Sequence, residues 1–300
     1  MKAEPIYFGF LPILKPAGPT SHDMVGKIRR LTPRKTKVGH TGTLDPFADG
    51  VMITALGKAT RFADNVHLMS KSYHAHIELG RTTDTLDPTG EFGRTTQVPE
   101  FGESDLVRIR ETLLGEQMQV PPAYSAKKVD GKRSYELARE NRAVELPARP
   151  VTIHELKIDK IAPTTIDLEV LCSTGTYIRS LGRDIALALG TQGYLSKLTR
   201  TSVGPIRTDQ CLAIEDLSKD NIPQNLIGVS QLLPEFPQRE IPLKKALLLA
   251  SGRPALVQDP FPSKFLAIAY DETGSTCFIF RCEFDPERHE IHSRMLCYQK

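Results

Sequence analysis

A glycine-rich loop leads directly into an unbroken apolar run near the start of this chain. Residues 39–50 read GHTGTLDPFADG, and residues 51–57 read VMITALG. The second segment is short, apolar and bounded by glycines, which predicts a buried β-strand. A buried strand that begins where the loop ends anchors one end of the loop. A side chain on the loop can therefore be held in a defined position.

Asp45 is the loop residue whose backbone is most restricted. A residue before proline is pushed out of the helical region, so Pro46 holds Asp45 in an extended conformation. Gly39, Gly42 and Gly50 permit sharp bends or the close approach of another backbone. The loop either presents Asp45 as a reactive carboxylate or uses Asp-Pro as an ordinary turn initiator. Composition alone favours the turn.

The hydrophobic pattern along the rest of the chain before Leu233 predicts alternating strands and helices. Residues 72–80 predict a strand with Tyr73 and Ala75 on one face and His74 and His76 on the other. The segments 151–161 and 164–173 both alternate and predict a hairpin. Three helices are predicted: within 21–31, capped by Ser21; within 101–117, capped by Ser104 and stopped by Gly115; and within 176–190, closed by Gly190.

The composition changes at Leu233. Residues 233–264 are punctuated by proline, and residues 265–284 predict two strands around a DETG turn. This part is a separate small β-rich module of roughly 60 residues, a size at which a domain is barely stable alone. We therefore expect it to pack on the main body.

Bulk properties exclude several classes of protein. The chain has 300 residues, of which 40% are apolar and 25% charged, as in globular proteins. No apolar run approaches the roughly 18 residues of a membrane span, and the proline-broken start lacks the order of a signal peptide. The five cysteines are odd in number and contain no C-x-x-C pair, which argues against disulfides and structural zinc. We expect a cytoplasmic protein.

The charge distribution says more than the net charge of +3. Residues 26–37 read GKIRRLTPRKTK and contain six basic residues and no acid. Such a run is either a solvated helix face or an attachment point for a phosphate-bearing partner. Its position just before the Asp45 loop favours the partner.

Three catalytic arrangements can be checked by spacing. A P-loop needs four residues between its glycine and GK[ST], but Gly50 and Gly57 are separated by six and Ala59 follows Lys58. The nucleophile motif G-x-S-x-G is absent. His74 and His76 have the spacing of two metal ligands on one strand face, but no third ligand is evident in the sequence. We predict no metal site.

Five segments in order along the chain closely resemble the TruB family of tRNA pseudouridine synthases. They cover the chain from Lys15 to about Pro205, so chance agreement is remote. The region after Leu233 resembles the family's small RNA-binding module only loosely. The five segments are LPILKPAGPTSHDMV, GHTGTLDPFADGVMITALGKATRF, KSYHAHIELGRTTDTLDPTG, PPAYSAKKVDGKRSYELAR and CSTGTYIRSLGRDIALALG.

The resemblance implies an α+β fold with a mixed, largely antiparallel sheet flanked by helices. It implies a catalytic domain over 1–232, a thumb insertion at about 121–150, and a PUA-like RNA-binding domain over 233–300. Family members isomerise uridine to pseudouridine in the T loop of tRNA, at the position conventionally numbered 55. The expected partner is tRNA, with no cofactor, no metal, no membrane and no obligate protein partner, and the expected state is a monomer.

The resemblance also assigns catalytic roles. The family's catalytic aspartate falls on Asp45, which is expected to act as a nucleophile or base. Arg179 matches the arginine that pairs with this carboxylate through a bidentate fork. Tyr73 matches a tyrosine that packs against the target base and takes part in proton transfer.

Further residues are implied in RNA binding. The target uridine must be flipped out of the T loop, and His40 matches the histidine that fills the vacated space. Tyr177 and Leu198 match residues of the base pocket. Five basic residues lie in motifs near the RNA, three of them in the thumb: Lys15, Lys58, Lys127, Lys132 and Arg133.

The sequence departs from the family pattern at Leu14, Asp49 and Tyr194, which leaves the catalytic set intact and puts fine RNA contacts in doubt. Two rival functions remain at this point. One is the guide-RNA-dependent relative that modifies ribosomal RNA within a protein complex, against which the short N-terminus argues. The other is a catalytically silent RNA-binding or tRNA-folding protein, against which the presence of Asp45, Tyr73 and Arg179 together argues.

Overall fold

The computed structural model describes residues 7–124, 128–129, 132–133 and 146–299, with the backbone alone at 128–129, 132–133 and 298–299. Its helices are α1 (Ser21–Leu31), α2 (Ala63–His67), α3 (Glu103–Leu113), α4 (Ile178–Ala188), α5 (Val229–Leu232) and α6 (Leu243–Ala250). Its strands are β1 (Gly9–Lys15), β2 (Val38–His40), β3 (Asp49–Leu56), β4 (Lys71–Leu79), β5 (Gly115–Gln119), β6 (Lys128–Val129), β7 (Lys132–Arg133), β8 (Arg149–Ala162), β9 (Thr165–Cys172), β10 (Gly193–Val203), β11 (Ile206–Arg207), β12 (Leu212–Ala213), β13 (Gln238–Glu240), β14 (Ala255–Leu256), β15 (Lys264–Tyr270), β16 (Thr276–Asp285) and β17 (Glu290–Gln299). Within the described ranges, no helix has the length and apolar character to cross a membrane.

A mixed sheet of ten strands, counted over the described residues, forms the centre of the molecule. Its order is β12-β1-β3-β10-β4-β9-β8-β5, with β2 beside β3 and β11 beside β10. The pairs β1–β12 and β3–β10 are parallel, and the other pairs are antiparallel. The predicted α+β class with a largely antiparallel sheet is confirmed, as is the β8–β9 hairpin.

The apolar run after the Asp45 loop forms β3, as predicted. All its residues from Gly50 to Leu56 are buried. Val51 and Ile53 belong to one apolar core, and Met52 belongs to a second. Because successive side chains of a strand point to opposite faces, β3 is covered on both sides. The C-terminal end of the Asp45 loop is therefore fixed by a central strand.

Gly50 begins the buried part of this strand with φ +107°, and a Cβ at this position would lie 2.2 Å from the carbonyl oxygen of Arg200. We expect Gly50→Ala to lower the free energy of unfolding by about 3 kcal/mol or more, because backbone strain of 1–3 kcal/mol adds to a clash with rigid backbone. Urea unfolding measures this. The control is Gly26→Ala in α1, where a Cβ meets nothing within 4 Å and helix propensity favours alanine. An unchanged midpoint for Gly50→Ala would contradict the conformational argument.

Two predicted helix caps are wrong. The N-cap of α1 is Thr20, whose hydroxyl accepts a hydrogen bond from Asp23 N while Asp23 accepts one from Thr20 N. Ser21 is unavailable because its hydroxyl bonds both the amide and the carbonyl of Leu44. Helix α3 has Gly102 as its N-cap rather than Ser104.

Helix ends follow the predictions more closely. Helix α4 ends at Ala188, and Gly190 follows with φ +77°, as its predicted role in closing the helix requires. Helix α3 ends at Leu113, and two residues later the chain turns into β5 at Gly115, which has φ +91°. Helix α4 lies over the sheet, where Leu181 shares a core with Ile77 of β4.

The C-terminal region forms a second sheet, in the order β13-β15-β16-β17-β14. The predicted pair around the DETG turn is β15 and β16, which are antiparallel. Leu266 and Met295 of this sheet share an apolar core with Phe62 and Val66 near α2. The expectation that this region packs on the main body is confirmed.

The predicted thumb is described only in part. Strands β6 and β7 pair antiparallel on either side of residues 130–131. The basic helical stretch predicted after them, and Lys127, lie outside the described residues.

Candidate active site

A cleft of about 870 Å³ opens beside the loop that carries Asp45. The start of α1, residues 40–46, residues 85–89 and residues 173–179 contribute to its walls, together with side chains of β4 and β10. Of the predicted site residues, six line this cleft: His40, Asp45, Tyr73, Tyr177, Arg179 and Leu198. The fold thus brings together residues that are up to 158 positions apart in the sequence.

Lys15 supports the Asp45 loop from within the protein. Its ammonium donates hydrogen bonds to Ala48 O at 2.7 Å, Pro46 O at 3.2 Å and Pro16 O at 2.9 Å. The residue is only 1% exposed, and burial lowers its pKa to about 8, an effect that the charge of Asp49 opposes. The expectation that Lys15 contacts RNA does not agree with this position. We assign it to fixing the loop backbone.

Arg200 of β10 holds the other side of the loop. Its guanidinium donates to Val51 O at 2.7 Å, Thr43 O at 3.3 Å and Gly42 O at 3.4 Å. The residue is buried. Two buried cations therefore bind the loop carbonyls before and after Asp45, and hydrogen bonds to charged groups are among the stronger ones.

Asp45 faces Arg179 of α4. Arg179 Nη2 donates to Asp45 Oδ1 at 3.2 Å, and Nε lies 2.9 Å from Oδ2 without the alignment of a hydrogen bond. The Arg179 side chain is 6% exposed and the Asp45 carboxylate 33%. The arginine is thus fixed inside the protein, and it orients a carboxylate that remains open to the cleft. The pairing of these residues agrees with the prediction.

Asp87 completes the surroundings of Arg179. Arg179 Nη1 donates to Asp87 Oδ2 at 3.3 Å and to Thr85 O at 2.8 Å, and Nη2 also donates to Tyr124 O at 3.1 Å. Asp87 is itself held through Oδ1, which accepts from the Thr85 hydroxyl at 2.8 Å and from Thr89 N at 2.9 Å. One buried guanidinium therefore lies between a fixed carboxylate and one that faces the cleft.

Tyr73 lies on β4 with its ring towards the cleft. Burial raises the pKa of its hydroxyl, while the charge and hydrogen bonding of the Arg200 guanidinium act in the opposite direction. The sign of the net shift keeps the phenol protonated at neutral pH. Tyr73 therefore offers an uncharged aromatic ring and a phenol in the cleft that Asp45 also lines.

His40 lies at the end of β2 and lines the same cleft. Its pKa is lowered, first by burial and then by the charge of Arg200. The imidazole is therefore neutral at pH 7. Among the described residues, its buried Nδ1 atom has no hydrogen-bond partner.

Tyr177 and Leu198 form another part of the wall. Gln119 clamps the backbone of Tyr177: Tyr177 N donates to Gln119 Oε1 at 2.8 Å, and Gln119 Nε2 donates to Tyr177 O at 3.1 Å. Leu198 on β10 is buried against the core. Both residues line the cleft, and their role in a base pocket stays a prediction.

The remaining predicted basic residues lie elsewhere. Lys58 is exposed and donates from Nζ to Leu296 O at 2.6 Å, so it bridges the main body and the C-terminal sheet. Lys132 and Arg133 form the short strand β7, for which only the backbone is described. Asp49 is absent from the described lining of the cleft, and one of its carboxylate oxygens is buried with no hydrogen-bond partner among the described residues.

Sequence reasoning missed three residues of this site. Asp87 lies in a segment whose composition predicts only a turn-rich loop. Arg200 lies in a strand, and an arginine in a strand is usually exposed on the surface, so its burial was not predicted. Lys71, at the start of β4, is buried and donates to the carbonyls of His67 and Met69. Burial lowers its pKa to about 8. The signal available in the sequence was the threonine-rich spacing around Asp87, which suits repeated hydrogen bonds to one carboxylate.

The fold has close relatives among solved structures. A chain of the Cbf5–Nop10–Gar1 complex superposes with a TM-score of 0.67 over 97% of this chain and 85% of that chain, at 22% identity. A chain of the archaeal box H/ACA sRNP Nop10–Cbf5 complex gives a TM-score of 0.65 over 98% and 87%, at 20% identity. At these identities the likeness shows the shared fold.

Sequence relatives define the class of protein. The family described as TruB family pseudouridylate synthase (N terminal domain) matches residues 29–178. tRNA pseudouridine synthase B of Corynebacterium aurimucosum is 41% identical over 82% of this chain and 83% of the relative. The protein of that name from Clostridium acetobutylicum is 40% identical over 81% and 84%. The protein is thus a pseudouridine synthase. The chain belongs to the TruB family.

Proposed function

We propose that this chain isomerises uridine to pseudouridine in the T loop of tRNA, at the position conventionally numbered 55. The observation that carries the proposal is the Asp45 carboxylate, held by a buried arginine at the edge of a cleft that also contains Tyr73 and His40. The cleft volume of about 870 Å³ lies within the range of small-molecule sites. A flipped nucleotide is of suitable size for it.

The reaction redistributes bonds within one nucleotide. The bond from C1′ of the ribose to N1 of uracil breaks, the base turns, and a bond from C1′ to C5 forms. The proton on C5 is lost, and N1 gains one, so atoms and electrons balance without a co-reactant. Asp45 supplies the anionic oxygen as nucleophile or base, and Arg179 keeps it oriented. The protonated Tyr73 packs on the base, and we assign to its hydroxyl the relay of the C5 proton.

Base flipping assigns a role to His40. Extruding a base costs a few kcal/mol, which stacking and new hydrogen bonds offset. The neutral ring of His40 fills the space beside the extruded nucleotide. Tyr177 and Leu198 complete the wall around the base.

RNA contacts outside the cleft are proposed for two regions. The first region is the thumb at about 121–150, which closes over the T arm and includes Lys127, Lys132 and Arg133. The second region is residues 233–300, which act as a PUA-like RNA-binding domain beside the catalytic domain 1–232. Lys58, at the contact between the two sheets, lies beside the bound strand.

The enzyme works as a monomer without a protein partner or cofactor.

Position-resolved mapping of pseudouridine tests the proposal. The purified chain alone, without guide RNA or protein partners, is incubated with an unmodified T-arm minihelix. We expect modification at position 55 and at no other uridine. A control minihelix carries cytidine at that position. Activity only with an added guide RNA would favour the ribosomal RNA function, and binding without any modification would favour a silent RNA-binding protein.

A further inference from the structure

The face of β4 opposite the cleft carries two histidines that the proposed reaction does not use. His74 and His76 alternate with Tyr73 along the strand, so they point away from the cleft. The sequence alone showed no third ligand for them. The fold supplies one, because Asp167 of β9 is the register partner of His76.

The three side chains converge on one point. His74 Nε2 lies 2.7 Å from Asp167 Oδ1, and His76 Nε2 lies 3.1 Å from the same oxygen. The two imidazole rings are perpendicular, with centroids 5.4 Å apart. All three ligand atoms lie within 4.8 Å of one another. In the part of the chain that the structure describes, this is the one such group of histidine, cysteine and carboxylate side chains.

Among the described residues, Asp167 has no lysine or arginine partner, unlike Asp159 and Glu169. On the adjacent strand Lys157 lies 2.8 Å from Asp159 and 3.5 Å from Glu169. Among the described side chains, the ion-pair contacts of Asp167 are with the two histidines alone. When both imidazoles are neutral, the cluster has a net charge of −1. A cation that accepts nitrogen and oxygen ligands would complete it.

We propose that His74, His76 and Asp167 bind a divalent transition metal ion, with Zn²⁺ as the reference ion. Imidazole nitrogen suits zinc, copper and nickel, whereas Mg²⁺ and Ca²⁺ prefer oxygen ligands. Ligand atoms about 2.0–2.1 Å from a tetrahedral zinc lie about 3.3 Å apart. The observed separations of 2.7 and 3.1 Å therefore need to open by roughly 0.2–0.6 Å. Water supplies the fourth ligand.

The side chains are accessible enough for this shift. Their exposed fractions are 38% for His74, 31% for His76 and 18% for Asp167. The backbone beneath them is rigid, because β4 is paired on both sides, with β9 and β10. A bound ion would cross-link β4 and β9 behind Tyr73 and so stabilise the folded sheet.

Isothermal titration tests the site directly. Metal-free protein without a polyhistidine tag is titrated with ZnCl₂ and compared with the variants His76→Gln and Asp167→Asn. We expect one equivalent of Zn²⁺ in the native chain and at least about tenfold weaker binding in each variant, since loss even of groups that support ligands costs 10–100-fold in affinity. Co²⁺ bound at the site should show no thiolate charge-transfer band, which excludes the cysteines.

The control variant is His292→Gln. His292 is 32% exposed and lies 3.3 Å from the carboxylate of Glu290, so it resembles His76, but it belongs to no group of three metal-ligating side chains among the described residues. We expect it to bind zinc like the native chain. Addition of Zn²⁺ should raise the unfolding midpoint of the native and His292→Gln proteins and not that of His76→Gln. Equal zinc binding by all proteins, or none by the native chain, would overturn the proposal.

Enzyme activity separates this site from the proposed function. The metal would lie on the face of β4 opposite the cleft, so EDTA is expected to leave pseudouridine formation unchanged while it removes the stabilisation. The titration needs no active enzyme, and it therefore stands if the proposed reaction fails.

Discussion

Asp45→Asn is expected to reduce pseudouridine formation at least about a thousandfold, as removal of a catalytic carboxylate does elsewhere. The amide has the shape of the carboxylate but no negative charge, so it is neither a nucleophile nor a base. Its oxygen can still accept one hydrogen bond from Arg179, which lies 2.9 Å from Oδ2 and 3.2 Å from Oδ1 in the native site. Single-turnover assays on a T-arm substrate give the rate.

RNA binding should survive this substitution. The native carboxylate is an anion beside an anionic ligand, so its removal takes away a repulsion rather than a contact. Filter binding of the same substrate is expected to be within about threefold of the native value, roughly 0.6 kcal/mol. A loss of binding equal to the loss of rate would assign Asp45 to RNA recognition.

Asp49→Asn is the matched control because Asp49 is the other acid of the same loop. It is absent from the described lining of the cleft, and its charge acts on the buried Lys15. We expect it to retain near-native activity. If Asp49→Asn lost activity and Asp45→Asn kept it, the assignment of the catalytic acid would be wrong.

Local sequence patterns were sufficient for the elements that surround the site. The apolar run of β3, the alternation of β4 and the Gly190 stop of α4 each reflect a preference that acts over a few residues, and all three are present. The caps of α1 and α3 were misplaced by one and two residues. For α1 the reason is tertiary, since Ser21 bonds a loop 23 residues away.

The positions of buried charged side chains were harder to predict than the helices and strands. Lys15 reads as a surface lysine in a motif near RNA, yet it is buried under the loop. The sequence shows its charge but not the carbonyl groups of Pro46 and Ala48 that surround it. Asp167 likewise reaches His74 across 93 residues of chain. Such partners are decided by strand register, which a single sequence does not display.

The resemblance to a family was what identified Asp45. Glycine and proline explain how the loop can hold an acid, but they do not distinguish a reactive acid from a turn former. The structure adds the physical reason, because Asp45 is the loop carboxylate that both faces the cleft and contacts a buried guanidinium. Among the described residues, Asp49 has neither property.

Arg179→Lys is expected to lower the single-turnover rate about a hundredfold or more, although the charge is kept. Arginine reaches Asp45, Asp87 and the carbonyl of Thr85 at the same time because its donors form a planar fork. A lysine ammonium is a point charge and cannot span both carboxylates. Asp45 would then lose its orientation, and a displacement of about 1 Å can cost about 10²-fold in rate.

Arg183→Lys on the same helix is the control for this substitution. Arg183 lies four residues further along α4 and pairs with the neighbouring Asp184 at 2.8 Å, with its side chain 26% exposed. We expect the rate of this variant to stay near the native value. A similar loss in both variants would show that α4 tolerates no lysine at all, and would contradict a role specific to Arg179.

Asp87→Asn distinguishes positioning from a purely structural role. Asp87 does not contact Asp45; it holds Arg179 through Nη1 at 3.3 Å. The amide keeps the shape of the carboxylate but removes the negative charge that pairs with the guanidinium. We therefore expect a rate loss of about tenfold with tRNA binding unchanged. Because both substitutions act through the orientation of Asp45, the double variant should be little slower than Arg179→Lys alone. Multiplicative losses would show that Asp87 acts independently of Arg179, and a loss of unfolding free energy without a loss of rate would make the Asp87–Arg179 pair a structural contact only.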